Sequence, residues 1–436
     1  MRSQSANPSI RANVARARAC RHTHLTRPAD NPGRPDVSRE TTFTDARLVP
    51  HLPYWGRLLQ RVYPRAILVA SVCAVVVILA GGAPGRLGGD LPAFYGAGRI
   101  VLDGDIGQLY SHQRQHAAQQ DLFPAAEAHS YLYFAYPPFV ALPYALLALL
   151  PFLLAYAVHV GGMAACLAAA TRIVGRSLGL PTASRHLVLA TAVTFYPLFR
   201  AVSGGQNTAL SLLAIVASAA LLERRREFLA GLVMGVLWFK PQLAVTFVGL
   251  WVIERRPRAV LGALTAAALL YAAGSALAGP AWPAWWWREG VTSFDARDQT
   301  VNAANSVGFL GVAEGVLGTG NPWALTVGVV LATLTGVLLA VMAFRGGPAA
   351  LWQRTAATSA GSVLLSPHAM YYDAGLAALP LLLSVAWGTR RERTVAVGLW
   401  VIAFLHPVGA ALGVTPVFIS VAGAFLLALR ITAAQR

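Results

Sequence analysis

Asp90, Gln206, Asn207, Lys240, His368 and Asp373 are polar residues set among long apolar runs, and their side chains hold anions and move protons. A carboxylate can take the proton of an attacking hydroxyl. Lysine and histidine bind phosphate as cations and hydrogen-bond donors. Gathered beside an apolar groove that holds a lipid tail, this set suits group transfer from a phosphate-linked lipid. Each residue also fits a plainer role. Asp90 can cap a helix, and Asp103 and Asp105 in "LDGDIG" read as solvated turn residues. Lys240, ahead of Pro241, can snorkel to a membrane interface. "SGGQN" can be a tight turn and His368 a capped loop residue, while Tyr371, Tyr372 and the Trp282, Trp285, Trp286 and Trp287 cluster suit an interfacial aromatic belt.

What separates the two readings is where the elements put these residues. The chain has 436 residues, 56% of them hydrophobic and only 12% charged. Soluble domains carry roughly 25% charged residues. Apolar segments long enough to cross a bilayer as helix recur after Tyr63, starting with Ile67 to Ala83, and β-barrel alternation is absent. The pattern predicts an all-α polytopic membrane protein. The net charge of +17 comes from arginines in the first residues and then in short clusters between apolar runs. Such a distribution marks topology and excludes a nucleic-acid footprint. Residues 1–62 read as a disordered, basic cytoplasmic tail and 63–436 as the transmembrane domain. Cys20, Cys73 and Cys166 form no disulfide or zinc framework.

Basic residues mark the cytoplasmic side of the membrane. The clusters "TRIVGRSLGLPTASRH" (Arg172, Arg176, Arg185), "ERRRE" (Arg224 to Arg226), "ERRPR" (Arg255, Arg256, Arg258), the stretch from "FRGG" to Arg354, "RRER" (Arg390, Arg391, Arg393) and the final Arg430 and Arg436 therefore lie inside. The turns between them become external: "SGGQN", "WFKPQ", Gly279 to Ser306, "SPHAMYYD" and the turn near Gly413. For this alternation to hold, Tyr136 to Leu150 must enter only partway, as a surface helix or hairpin, and its prolines suit an irregular entry. "GFLGVAEGVLG" is placed similarly, on the outer surface. The result is about twelve spans, some very short, with both termini inside. Plotted on this topology, the polar residues that composition leaves unexplained fall almost entirely on the external side: Asp90, Tyr136, Gln206, Asn207, Lys240, Asn305, Ser306, His368, Tyr371, Tyr372 and Asp373. Ionisable groups at membrane depth mark functional sites. Their shared side points to one cavity.

An Asp in the first external loop, followed in order by "AYPPF", "GGQNTALSLL", "AGLVMGVLWFKPQ", "NSVGFLG" and "LLSPHAMYYDAGLAALPLLL", resembles glycosyltransferase family 87. These are integral-membrane enzymes of the GT-C class, and the resemblance runs from Asp90 to Leu383. It implies a polyprenyl-phosphate sugar donor, a glycolipid or glycan acceptor and an active site on the external face of the cell membrane. Within that likeness Asp90 is the general base, and Lys240 and His368 hold the donor phosphate. Tyr136, Gln206, Asn207, Asn305, Tyr372 and Asp373 line the substrate pocket. Where the family often shows Asn-Gln-Ser, this chain has "NAANSV". The second carboxylate of metal-dependent relatives has no counterpart, so neither an obligatory metal nor another cofactor is implied. The expected reaction is inverting transfer of mannose to give an α-linked product. The competing readings are an arabinofuranosyltransferase and, in a different class, a lipid or solute transporter. A transporter calls for midplane polar groups and inverted repeats, and the sequence displays neither.

Overall fold

The computed structural model describes residues 86–87, 89–123, 130–180, 189, 192–293, 305–345 and 350–434. The basic stretch 1–62, the first expected span at Ile67 to Ala83, and Cys20 and Cys73 lie outside them. Among the described residues regular structure is helical, broken only by a single antiparallel bridge between Ser306 and Met370.

In chain order the helices are α1 (Leu91–Leu102), α2 (His112–Ala117), α3 (Ala141–Ala148), α4 (Phe152–Ser177), α5 (Tyr196–Ser203), α6 (Thr208–Glu223), α7 (Glu227–Met234), α8 (Pro241–Ile253) and α9 (Pro257–Ala278). They continue with α10 (Trp282–Trp285), α11 (Phe309–Leu317), α12 (Pro322–Arg345), α13 (Leu351–Leu365), α14 (Ala378–Trp387), α15 (Arg390–Phe404), α16 (His406–Ala411) and α17 (Pro416–Ala434). Proline opens several of them, including α5, α8 and α9, because its fixed φ and missing N–H suit a first helical turn. α6 and α8 end alike. Arg225 and Arg255 adopt positive φ, and the N–H groups of Arg226 and Arg256 reach back to the carbonyls of Leu221 and Trp251, each at 2.9 Å. This left-handed C-terminal turn satisfies the last helical carbonyls.

Three described helices, α4, α9 and α12, are long and apolar enough to cross a membrane. α5 and α6 qualify together as a fourth, bent by 117° at the "GGQN" break. The other apolar helices are shorter, so length and apolarity alone do not recover the expected dozen spans among the described residues. Prolines and glycines at the turns cut the apolar runs into pieces. Val329, Leu334, Val337 and Leu338 face outward from α12, as a lipid-facing surface requires. The segment from Tyr136 stays short: a 3₁₀ turn at Pro138–Val140 leads into the eight residues of α3. α3 packs on α1 so closely that a Cβ at Gly98 would lie 2.3 Å from the Tyr144 carbonyl oxygen. "GFLGVAEGVLG" forms α11, a nine-residue helix ahead of the long α12.

The alternation of turns inferred from the arginine clusters has a structural counterpart. Arg256 bonds Glu227 at 3.0 Å and Glu254 at 2.7 Å, Arg354 bonds Glu254 at 2.9 Å, and Trp352 Nε1 donates to Glu223 at 3.4 Å. The "ERRRE" and "ERRPR" turns and the start of α13 thus meet at one end of the bundle. α6, α8 and α13 run from that end to the turns holding Thr208, Lys240 and Ser366. With 16 residues in α6 and 13 in α8, a rise of 1.5 Å per residue separates the two ends by about 20 Å.

Candidate active site

The far end of these helices gathers the polar residues. Asp90 is the N-terminal cap residue of α1, and its backbone N–H donates to the Gly204 carbonyl at 2.9 Å. That contact pins the loop before α1 against the "SGGQN" turn. Gly89 makes it possible: its φ is +51°, and a Cβ there would lie 2.7 Å from Gly204 O. Only glycine combines that backbone with so close an approach. Side by side, the two turns aim Gln206 at Asp90. The Gln206 Nε2 amide donates to the Asp90 carboxylate, and the Tyr372 hydroxyl donates to it as well. Burial raises the Asp90 pKa above the ordinary 3.8, opposed by Tyr372, by the Lys240 charge and by Gln206, with Asp373 adding to the rise. The carboxylate is walled in by protein yet part of the residue's surface stays accessible.

Lys240 sits where the 3₁₀ turn Gly235–Phe239 meets α8, since Pro241 must start a new helix. Its ammonium pairs with Asp373 at 2.5 Å, both residues being 5% exposed. Asp373 also accepts from the Met370 N–H at 3.3 Å and, more weakly, from Thr208 Oγ1 at 3.5 Å. The Lys240 Nζ stands 5.3 Å from the centroid of the Tyr372 ring. Tyr372 therefore bridges the two charged groups, with its ring toward Lys240 and its hydroxyl on Asp90. Burial and the charges of Asp90 and Asp373 push the Tyr372 and Tyr136 phenols far above their usual range, so both stay neutral donors.

The remaining candidates are tied in around this centre. Tyr144 Oη donates to Asn207 Oδ1 at 2.9 Å, and its ring stacks on Phe94 of α1 at 4.6 Å. Phe94 also contacts Tyr136, 4.9 Å between ring centroids. Asn305 and Ser306 join through the backbone: the Tyr371 N–H donates to Asn305 O and the Val307 N–H to Ala369 O, each at 2.8 Å. His368 belongs to the same turn, where its N–H donates to Ser366 Oγ at 3.3 Å. His368 and Asn305 thus share a β-bridged turn with Tyr371, joined through their backbones, whereas Asp90, Gln206, Lys240, Tyr372 and Asp373 form one interacting centre.

The profile of glycosyltransferase family 87 matches residues 134–367, more than half of the chain. The chain belongs to glycosyltransferase family 87. It is accordingly a membrane protein of glycosyltransferase type. No curated protein and no solved structure matched. Asp90, Tyr372 and Asp373 lie outside the matched stretch, yet Asp90 bonds to Gln206 and Asp373 to Lys240 inside it, and the Tyr372 ring faces Lys240.

Several residues of this family 87 site were not foreseen from sequence. Tyr144 and Thr208 are ordinary residues whose roles come only from packing. Arg200 had a signal: it stands alone in "YPLFRAVSGGQN", outside every basic cluster. Its guanidinium hydrogen-bonds Tyr371. Asp103 and Asp105 are exposed but not simply solvated, because both pair with Arg114, Asp105 at 2.9 Å. The aromatic belt reading suits Trp287, which is 61% exposed. It does not suit Trp282, which is buried and donates from Nε1 to Tyr271 O at 3.1 Å, or Trp286, whose Nε1 donates to Ala135 O at 2.9 Å. Among the described residues no three His, Cys, Asp or Glu side chains are grouped to hold a metal.

Proposed function

We propose that the protein transfers mannose from a polyprenyl-phosphate donor to a glycolipid or glycan acceptor on the external face of the cell membrane, with inversion. The supporting observation is the Asp90 carboxylate, held by Gln206 and Tyr372 beside the Lys240 ammonium. Asp90 takes the proton of the acceptor hydroxyl while that oxygen bonds to the anomeric carbon. The bond from the anomeric carbon to the phosphate oxygen breaks, and its electron pair leaves with polyprenyl phosphate. The departing phosphate needs stabilisation of its charge, which preorganised donors provide. Lys240 has three N–H donors, so those not on Asp373 remain for the phosphate, with His368 as its second ligand. Gln206 Oε1 is buried with no hydrogen-bond partner among the described residues. Buried polar atoms are normally bonded, and a sugar hydroxyl next to Asp90 fits this one. Asn207, Asn305, Tyr136, Tyr372 and Asp373 line the sugar pocket, and a β-linked donor gives an α-linked mannoside.

The test is to incubate membranes containing the protein with radiolabelled polyprenyl-phosphate mannose or polyprenyl-phosphate arabinose. Label entering a lipid or glycan product from the mannose donor, with an α linkage, is the expected result. Transfer from the arabinose donor alone refutes mannose, and no transfer from either refutes the donor class.

A further inference from the structure

Among the described residues, the centre around Asp90 has one ammonium, Lys240, against two carboxylates, Asp90 and Asp373. A donor that arrives as a phosphate diester anion and leaves with further negative charge requires more positive charge than this. Arg200 lies in the middle of α5, and its carbonyl accepts the Gly204 N–H at 2.8 Å. Gly204 is the same residue whose carbonyl holds the Asp90 N–H. The half-buried Arg200 guanidinium hydrogen-bonds the Tyr371 hydroxyl and lies near the phenols of Tyr196 and Tyr156. No carboxylate among the described residues pairs with it. Tyr371 in turn adjoins the centre, its ring 5.3 Å from that of Tyr372. On its other side the His406 ring stacks at 5.0 Å, 2% exposed, with neither nitrogen hydrogen-bonded among the described residues. Among the described residues, an arginine compensated only by phenols and, across the Tyr371 ring, a buried imidazole with no hydrogen-bond partner make a donor-rich patch lacking an anion.

We propose that Arg200, oriented by Tyr371, binds the phosphate of the lipid-linked donor. The proposal rests on the polyprenyl-phosphate reading of the site. The guanidinium fork matches two phosphate oxygens, and its place beside the "SGGQN" turn sets that phosphate within reach of the sugar that Asp90 and Gln206 address. The full-length protein, purified in nanodiscs, is titrated with undecaprenyl phosphate and with uncharged undecaprenol. The wild type is expected to prefer the phosphate. Arg200→Gln is expected to lose about 10- to 100-fold of the phosphate affinity, the scale of one charged hydrogen bond, and none of the undecaprenol affinity. Arg200→Lys keeps the charge without the fork and is expected to fall between. Wild-type phosphate affinity in Arg200→Gln overturns the assignment and leaves the donor class standing. A wild type with no preference for the phosphate overturns the donor class and this assignment with it. If Arg200→Gln does not fold, undiminished phosphate affinity in Arg200→Lys overturns the assignment.

Discussion

The base role proposed for Asp90 requires its carboxylate to be ionised, and its surroundings decide at which pH that happens. Burial raises its pKa above 3.8, so the acid limb of kcat/KM is expected above the ordinary carboxylate range, with activity falling as pH drops through it. The Tyr372 hydroxyl lowers that pKa. Tyr372→Phe is therefore expected to move the limb to higher pH, and a pH–rate profile of the two proteins checks the sign. Lys240 raises a different issue, because its partner Asp373 is buried. Lys240→Ala leaves an unpaired buried carboxylate, which costs about 3–5 kcal/mol of stability. Combining it with Asp373→Asn is expected to recover most of the lost thermal stability but not the donor affinity. Recovery of both in the double variant, measured by melting and donor titration, contradicts a phosphate-binding role for Lys240.

The elements matter because none of the site residues is held by its own helix alone. Asp90 depends on the "SGGQN" turn, and that dependence runs through Gly89. Gly89→Ala places a Cβ 2.7 Å from Gly204 O at a φ of +51°, which costs on the order of 1–3 kcal/mol in backbone strain alone. Its expected effect is a lower kcat, from a displaced Asp90, with the fold retained by circular dichroism; unchanged kcat contradicts the role given to this contact. Much of the site was legible in the sequence, because a polar residue in an apolar chain carries information by contrast. Asp90, Gln206, Lys240 and Asp373 all stood out that way. Their pairing was not legible. That Lys240 meets Asp373, 133 positions away, depends on how α8 and the Tyr371–Tyr372 turn pack, which no local pattern encodes. Arg200 was overlooked because the arginines were read as markers of sidedness, and a lone arginine within α5, ahead of the "SGGQN" turn, does not follow that rule. The span count suffered from the reverse problem: apolar runs are easy to see, but where proline and glycine break them is decided by tertiary contacts.

At the scale of the molecule, two groups of turns occupy opposite ends of α6, α8 and α13: arginine-rich turns joined through Glu254 and Glu223, and the turns that carry the site. That separation allows a direct test of sidedness. In a variant freed of its native cysteines, a single Cys near Gln206 or His368 is expected to react with an impermeant thiol reagent in intact cells, and one near Arg225 is not. The reverse pattern contradicts an external site. The chemistry itself is tested most directly by the rate of sugar transfer from labelled polyprenyl-phosphate mannose in Asp90→Asn, measured beside the wild type, Asp103→Asn and Asp105→Asn. Asn keeps the size of Asp90 but cannot take the proton, so the rate is expected to fall about 100-fold or more while donor affinity persists. The two exposed aspartates bonded to Arg114 are expected to be dispensable. An Asp90→Asn protein that transfers sugar at the wild-type rate contradicts the mechanism.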